Sequence, residues 1–172
     1  MKFLVALVAV FTFASAGSAV VGATAAGPAD GLGALGQSVP AGDLDTQLPD
    51  GYSHPRTAAG AVQWALSQVG VNRDSGFCLR FVNLAFGRAS GPPSAFLVWT
   101  RSPPALHHTS GVPPRGAVVV WSSAIGGGHG HIAISLGDGR MVSTTEGPVS
   151  VVPIAGFADA AYLGWMPPYF YM

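Results

Sequence analysis

Charge is scarce in this chain of 172 residues: 9% of positions are charged, and there is one lysine (Lys2), one glutamate (Glu146) and one cysteine (Cys78). A single cysteine excludes an intramolecular disulfide framework and any zinc site built from several thiolates. Eight basic residues against eight acidic ones leave a net charge of zero. The chain therefore lacks the basic face needed to neutralise phosphates, and no nucleic-acid partner is expected. No HExxH spacing occurs, and the adjacent His107 and His108 point different ways on regular structure, so no metal and no cofactor is expected. What abounds is apolar and small: 49% of residues are hydrophobic, with 24 Gly and 14 Pro. Such a composition excludes disorder over most of the chain. The length fits one domain of about 100–200 residues.

The N-terminus reads as a segment apart from the fold. Lys2 precedes an apolar run from Phe3 to Phe13, and small residues follow, with ASA at 14–16 and ATA at 23–25 as candidate cleavage sites. That is the layout of a secretory signal, assigned to residues 1–26. The run is shorter than the about 20 residues of a membrane anchor. The expectation is a secreted or cell-wall-associated protein, monomeric and free of the membrane once the signal is removed. Residues 27–55 are rich in Gly, Pro, Ala and Asp without sustained periodicity, and read as a flexible linker or propeptide-like arm. Residues 56–172 are left for the folded domain.

Within that domain helices come first. Thr57 is a candidate N-cap for TAAGAVQWALSQVG, where Ala58, Ala61, Val62, Ala65, Leu66 and Val69 recur at helical spacing before Gly70. Residues 73–76 form a turn, a second helix spans Cys78 to Phe86, and a short one spans Ser94 to Thr100. After Pro113-Pro114 the pattern changes to strands at 116–121, 131–136, 140–144, 149–154 and 162–165. Asp138-Gly139 reads as a two-residue hairpin turn. Helices followed by a mainly antiparallel sheet of about five strands make an α+β fold.

Cys78 follows a glycine-containing turn and opens a helix. There the helix dipole and free backbone N–H groups favour a thiolate and can receive a developing oxyanion. A lone cysteine in an exported chain is an inert buried residue, half of an intermolecular disulfide, or a functional thiol; this placement favours the last. His131 starts a strand after GGGHG and is a workable base for such a nucleophile. His129 is the neighbouring competitor, but it lies in the loop. A base needs an orienting group on its far nitrogen. With a two-residue turn at Asp138-Gly139, His131 and Glu146 face each other, so Glu146 is the expected partner. A bulge or a different turn would substitute Ser143, Thr144 or Thr145. A non-catalytic reading stays open beside this one: Trp99, Trp121, Trp165 and the PPYFYM tail could form an aromatic binding surface.

These residues carry a resemblance. GFCLRFVNLAFG, PRGAVVVW, GHGHIAISLGDGRMVST and the closing YLGW resemble the bacterial CHAP and NlpC-type cysteine amidase and peptidase families, including exported actinobacterial and phage lysin-like members. The apolar helix directly after Cys78 is closer to CHAP than to the NlpC pattern. The resemblance implies a papain-like core, Cys78 as nucleophile, His131 as base, and peptidoglycan or its stem peptides as partner. It implies cleavage of an amide bond in the cell wall, or, where activity is lost, an exported binding module. The third position departs from both families: NlpC-type proteins often place a second His about where Ser143 stands, and CHAP proteins a Glu, Asn or Asp near it.

Overall fold

The computed structural model describes residues 41–171, with side chains from Leu44 onward. Among the described residues four helices precede the sheet: α1 (Ala41–Thr46), α2 (Ala58–Ser67), α3 (Cys78–Ala85) and α4 (Ala95–Thr100). Five strands follow: β1 (Val118–Trp121), β2 (His131–Ser135), β3 (Arg140–Ser143), β4 (Ser150–Pro153) and β5 (Tyr162–Met166). The sheet order is β4-β3-β2-β1-β5, and every neighbouring pair is antiparallel. The fold is α+β, with α2, α3 and α4 packed on the sheet and α1 packed on α2.

Local chemistry sets each helix start. Thr57 Oγ1 accepts the Gly60 N–H at 3.2 Å, and Ser94 Oγ accepts the Leu97 N–H at 3.2 Å. Both close orphan donors of a first helical turn. The α2 stripe buries Ala58, Ala61, Val62 and Ala65. Leu66 lies at the rim of that stripe and Val69 beyond the end of the helix, so both stay exposed. α3 buries Phe81, Val82 and Ala85 and packs on β2, where all five residues are buried. β1 is also buried along its whole length, as its unbroken apolar run requires.

The arm expected at 27–55 is part of the fold over its described portion. Leu44 of α1 is fully buried, and both carboxylate oxygens of Asp45 accept the Ala58 N–H at 3.2 Å, at the start of α2. Further on, the Tyr52 hydroxyl donates to the Phe170 carbonyl at 3.0 Å and accepts the Phe170 N–H at 2.8 Å. The tail, as far as Tyr171, is thereby docked against the arm, with Phe170 fully buried. Too few apolar residues mark this segment for periodicity to reveal it; one leucine, one carboxylate and one tyrosine secure it through distant partners. The signal segment at 1–26 and the rest of the arm lie outside the described residues.

Candidate active site

Cys78 is delivered by a tightly held turn. Asp74 adopts φ +50°, and its carbonyl accepts the Phe77 N–H at 2.8 Å. Its carboxylate binds Arg73 Nε at 2.9 Å and Arg80 Nε at 3.2 Å. The turn is fastened to the residues after β3: the Gly76 N–H donates to the Thr145 carbonyl at 2.7 Å, and Thr144 Oγ1 donates to the Asp74 carbonyl at 3.1 Å. Phe77, the N-cap of α3, makes no side-chain capping bond, so the first N–H groups of the helix have no side-chain acceptor there. The backbone N–H groups of Ile132, Leu79 and Cys78 favour the thiolate. Burial outweighs them and pushes the Cys78 thiol up, not down as expected from the helix start alone.

His131 opens β2 and is 7% exposed. Gly130 before it has φ +75°, and a Cβ there would lie 2.5 Å from the Trp121 carbonyl oxygen. Only glycine allows the chain to enter the strand at this point. The imidazole packs against Trp121 and Phe157, with ring centroids 5.5 and 4.9 Å away. Burial holds its pKa down to about 4. Phe157 carries no sequence signal for this role, because it comes from the loop between β4 and β5.

The partner of His131 is Ser143: Nε2 and Oγ are 2.7 Å apart, and both residues are buried. Glu146, expected opposite His131, is exposed in the turn after β3. The reason is the hairpin. The Leu136 N–H donates to the Arg140 carbonyl at 2.8 Å, closing a three-residue turn of Gly137, Asp138 and Gly139 in which both glycines have positive φ. Ile134 therefore pairs with Val142 and Ser135 with Met141. A two-residue turn would have set Ile134 opposite Ser143. Because side chains alternate, the one-residue shift moves Ser143 onto the face that carries His131.

Cys78, His131 and Glu146 line one cleft of about 790 Å³ together with Thr144, Thr145 and His129. His129 is exposed, and its carbonyl accepts the Phe96 N–H at 2.9 Å. Thr144 and Thr145 hold the Cys78 turn as described. His107 and His108 stack on Trp99 and Trp165, with centroids 4.0 and 3.9 Å apart, and His108 bridges to the β5 edge. Among the described residues no three His, Cys, Asp or Glu side chains gather as a group that could hold a metal. Trp121 is fully buried and Trp165 nearly so, which leaves no joint aromatic surface with Trp99.

No protein-family model matches the chain, and no curated protein matches it. Solved structures similar to it include the peptidoglycan hydrolase RipB from Mycobacterium tuberculosis, at 20% identity over 80% of this chain and 75% of that one, with a TM-score of 0.47. The P60 domain of the M. avium subspecies paratuberculosis antigen MAP1204 is 18% identical over 65% of this chain and 98% of its own, with a TM-score of 0.46. A mutated form of the resuscitation promoting factor interacting protein RipA is 17% identical over 67% of this chain and 63% of its own, with a TM-score of 0.42. One of these three carries the P60 name and none the CHAP name.

Proposed function

We propose that this protein is a cysteine hydrolase that cleaves an amide bond in peptidoglycan through a thioester on Cys78. The observation that carries the reading is the hydrogen bond between His131 Nε2 and Ser143 Oγ, in a cleft that His131 shares with Cys78. It commits one ring nitrogen to orientation and leaves Nδ1 for the thiol.

Cys78 and His131 rest as neutral thiol and neutral imidazole, since burial opposes charge on each. Nδ1 then takes the thiol proton as sulfur attacks the carbonyl carbon, and the backbone N–H at the start of α3 receives the oxyanion. The imidazolium gives its proton to the leaving amine as the C–N bond breaks, which leaves the thioester. Water, deprotonated by His131, attacks the thioester; the carboxylic acid departs and the thiol is restored. Ser143 keeps the ring in place throughout.

The substrate class rests on the motif resemblance and on the signal-like N-terminus, and the implied location is the cell wall or the exterior. No helix among the described residues is long and apolar enough to cross a membrane. The test is release of new amino termini from purified cell wall by the full chain and by Cys78→Ala. Release by the parent and none by a folded variant is expected, with the parent's rate unaffected by a chelator. An inactive binding module would leave the two chains alike.

A further inference from the structure

At the end of α3 opposite Cys78, residues 52–56 clasp the helix and the C-terminal tail together. The Arg56 N–H donates to the Phe86 carbonyl at 3.2 Å, and the Arg56 guanidinium donates to the carbonyls of Leu84, at 2.9 Å, and of Ala85. Carbonyls of a last helical turn have no partner inside the helix, so the arm closes this end of α3. His54 stands in the middle of the clasp. Its ring centroid lies 5.1 Å from that of Tyr52 in the arm, 4.9 Å from Phe86 after α3 and 5.5 Å from Phe170 in the tail. Its Nε2 is bonded to the Pro168 carbonyl and so carries the proton of the neutral ring.

The other ring nitrogen is unmet: Nδ1 is buried and has no hydrogen-bond partner. Protonated there, His54 would be a charge among aromatic rings with no acceptor for the new N–H. A second cation already stands at the junction. Arg88 lies over the Phe170 ring at 5.5 Å and donates to the Tyr52 hydroxyl at 3.4 Å. Asp45 of α1 favours a charged ring, but its two oxygens are engaged by the Ala58 N–H. The remaining titratable groups are the phenols of Tyr52 and Tyr169, whose rings stand 4.7 Å apart. Burial first, and Arg88 with it, hold the His54 pKa below its ordinary value against the Pro168 bond and Asp45.

We infer that residues 52–56 and the tail form an acid-sensitive latch, in which protonation of His54 at Nδ1 parts the tail from the arm and loosens the end of α3. The proton need not enter the closed junction. Below a pH of about 6.5 the open junction binds a proton that the closed one refuses, so acid draws the latch open, and above that pH its strength is fully present. The bonds that part are those of His54 to Pro168 and of Tyr52 to Phe170. Loosening of α3 bears on turnover through the reading of Cys78 as nucleophile; the latch itself is independent of that reading.

Amide hydrogen exchange in the full chain tests the latch. The Phe170 N–H, bonded to the Tyr52 hydroxyl at 2.8 Å, reports the junction, and the amides of β1 report the core. Phe170 should be less protected than β1, since the junction opens without global unfolding. Corrected for intrinsic rates, its protection should fall about tenfold from pH 7 to pH 5. In His54→Gln, whose carboxamide can still donate to Pro168 but does not titrate, that fall should vanish. An equal fall in both chains, or Phe170 protection matching that of β1 throughout, would overturn the latch. A measurement on the parent alone guards against a variant that fails to fold: by NMR the His54 ring should titrate below pH 6.5. A ring that titrates at its ordinary pH while Phe170 stays protected would also overturn it. Neither readout uses hydrolysis, so a failed latch leaves release of wall peptides by the intact chain untouched, and absent release leaves the latch standing.

Discussion

The Nε2 of His131 lies 2.7 Å from the Oγ of Ser143, and the three-residue turn between β2 and β3 puts the two on one face of the sheet. A neutral hydroxyl can orient an imidazole without placing a second charge in a buried site, where an unpaired charge is costly. Ser143→Ala should therefore lower kcat about 10- to 100-fold with KM nearly unchanged, as a misoriented base would. Glu146→Gln should keep kcat within about twofold, because that carboxylate is exposed at the rim of the cleft. Initial rates on soluble stem peptides separate the two; a larger loss from Glu146→Gln would return the orienting role to the carboxylate.

Protonation of His131 should tie stability to pH in a definite direction. Its pKa is held down to about 4 from an ordinary 6.5 by burial. Below pH 6.5 the unfolded chain binds a proton that the folded chain refuses. Stability is fully present above that pH and declines on acidification to about pH 4, by about 3 kcal/mol, then levels off. Calorimetric Tm values from pH 7 to pH 4 should fall in the parent, and less steeply in His131→Gln. The acid limb of kcat/KM should sit near pH 4, not near pH 6.5.

Reactivity of the thiol should follow its burial. Because burial pushes the Cys78 thiol up, iodoacetamide should label it slowly at pH 7 and faster as pH rises through 9. Complete alkylation should abolish hydrolysis. Rapid labelling at pH 6 would mean that a thiolate forms in spite of the burial.

Gly130→Ala places a side chain at φ +75° and against the Trp121 carbonyl. The variant should lose at least about 2 kcal/mol of stability, from the left-handed conformation and the clash together. It should lose turnover as well, because His131 is the next residue. Urea unfolding and rate measurements report the two effects; a parent-like urea midpoint would contradict the close approach.

Leu44→Ala tests whether the segment before α2 belongs to the fold. A fully buried leucine truncated to alanine costs about 2–5 kcal/mol, whereas the same change in a flexible arm costs almost nothing. The urea midpoint of the variant decides between them.

Helical spacing in residues 58–65, a capping threonine, and apolar runs at 118–121 and 132–134 were each enough to specify an element, because propensity and burial pattern are local. Cys78 at a helix start and His131 at a strand start were legible for the same reason. The third residue of the site was not. Gly137 and Gly139 both accept positive φ, so the sequence admits a two-residue turn or a three-residue one, and the choice belongs to the ladder that β2 forms with its neighbours. That choice decided whether Ser143 or Glu146 would meet His131. Tertiary structure also decided the charge state of Cys78, since the helix start favours a thiolate while the depth of the site disfavours it. The role of Leu44 and the unmet nitrogen of His54 were equally out of reach, because burial and hydrogen bonding there depend on segments distant in the chain.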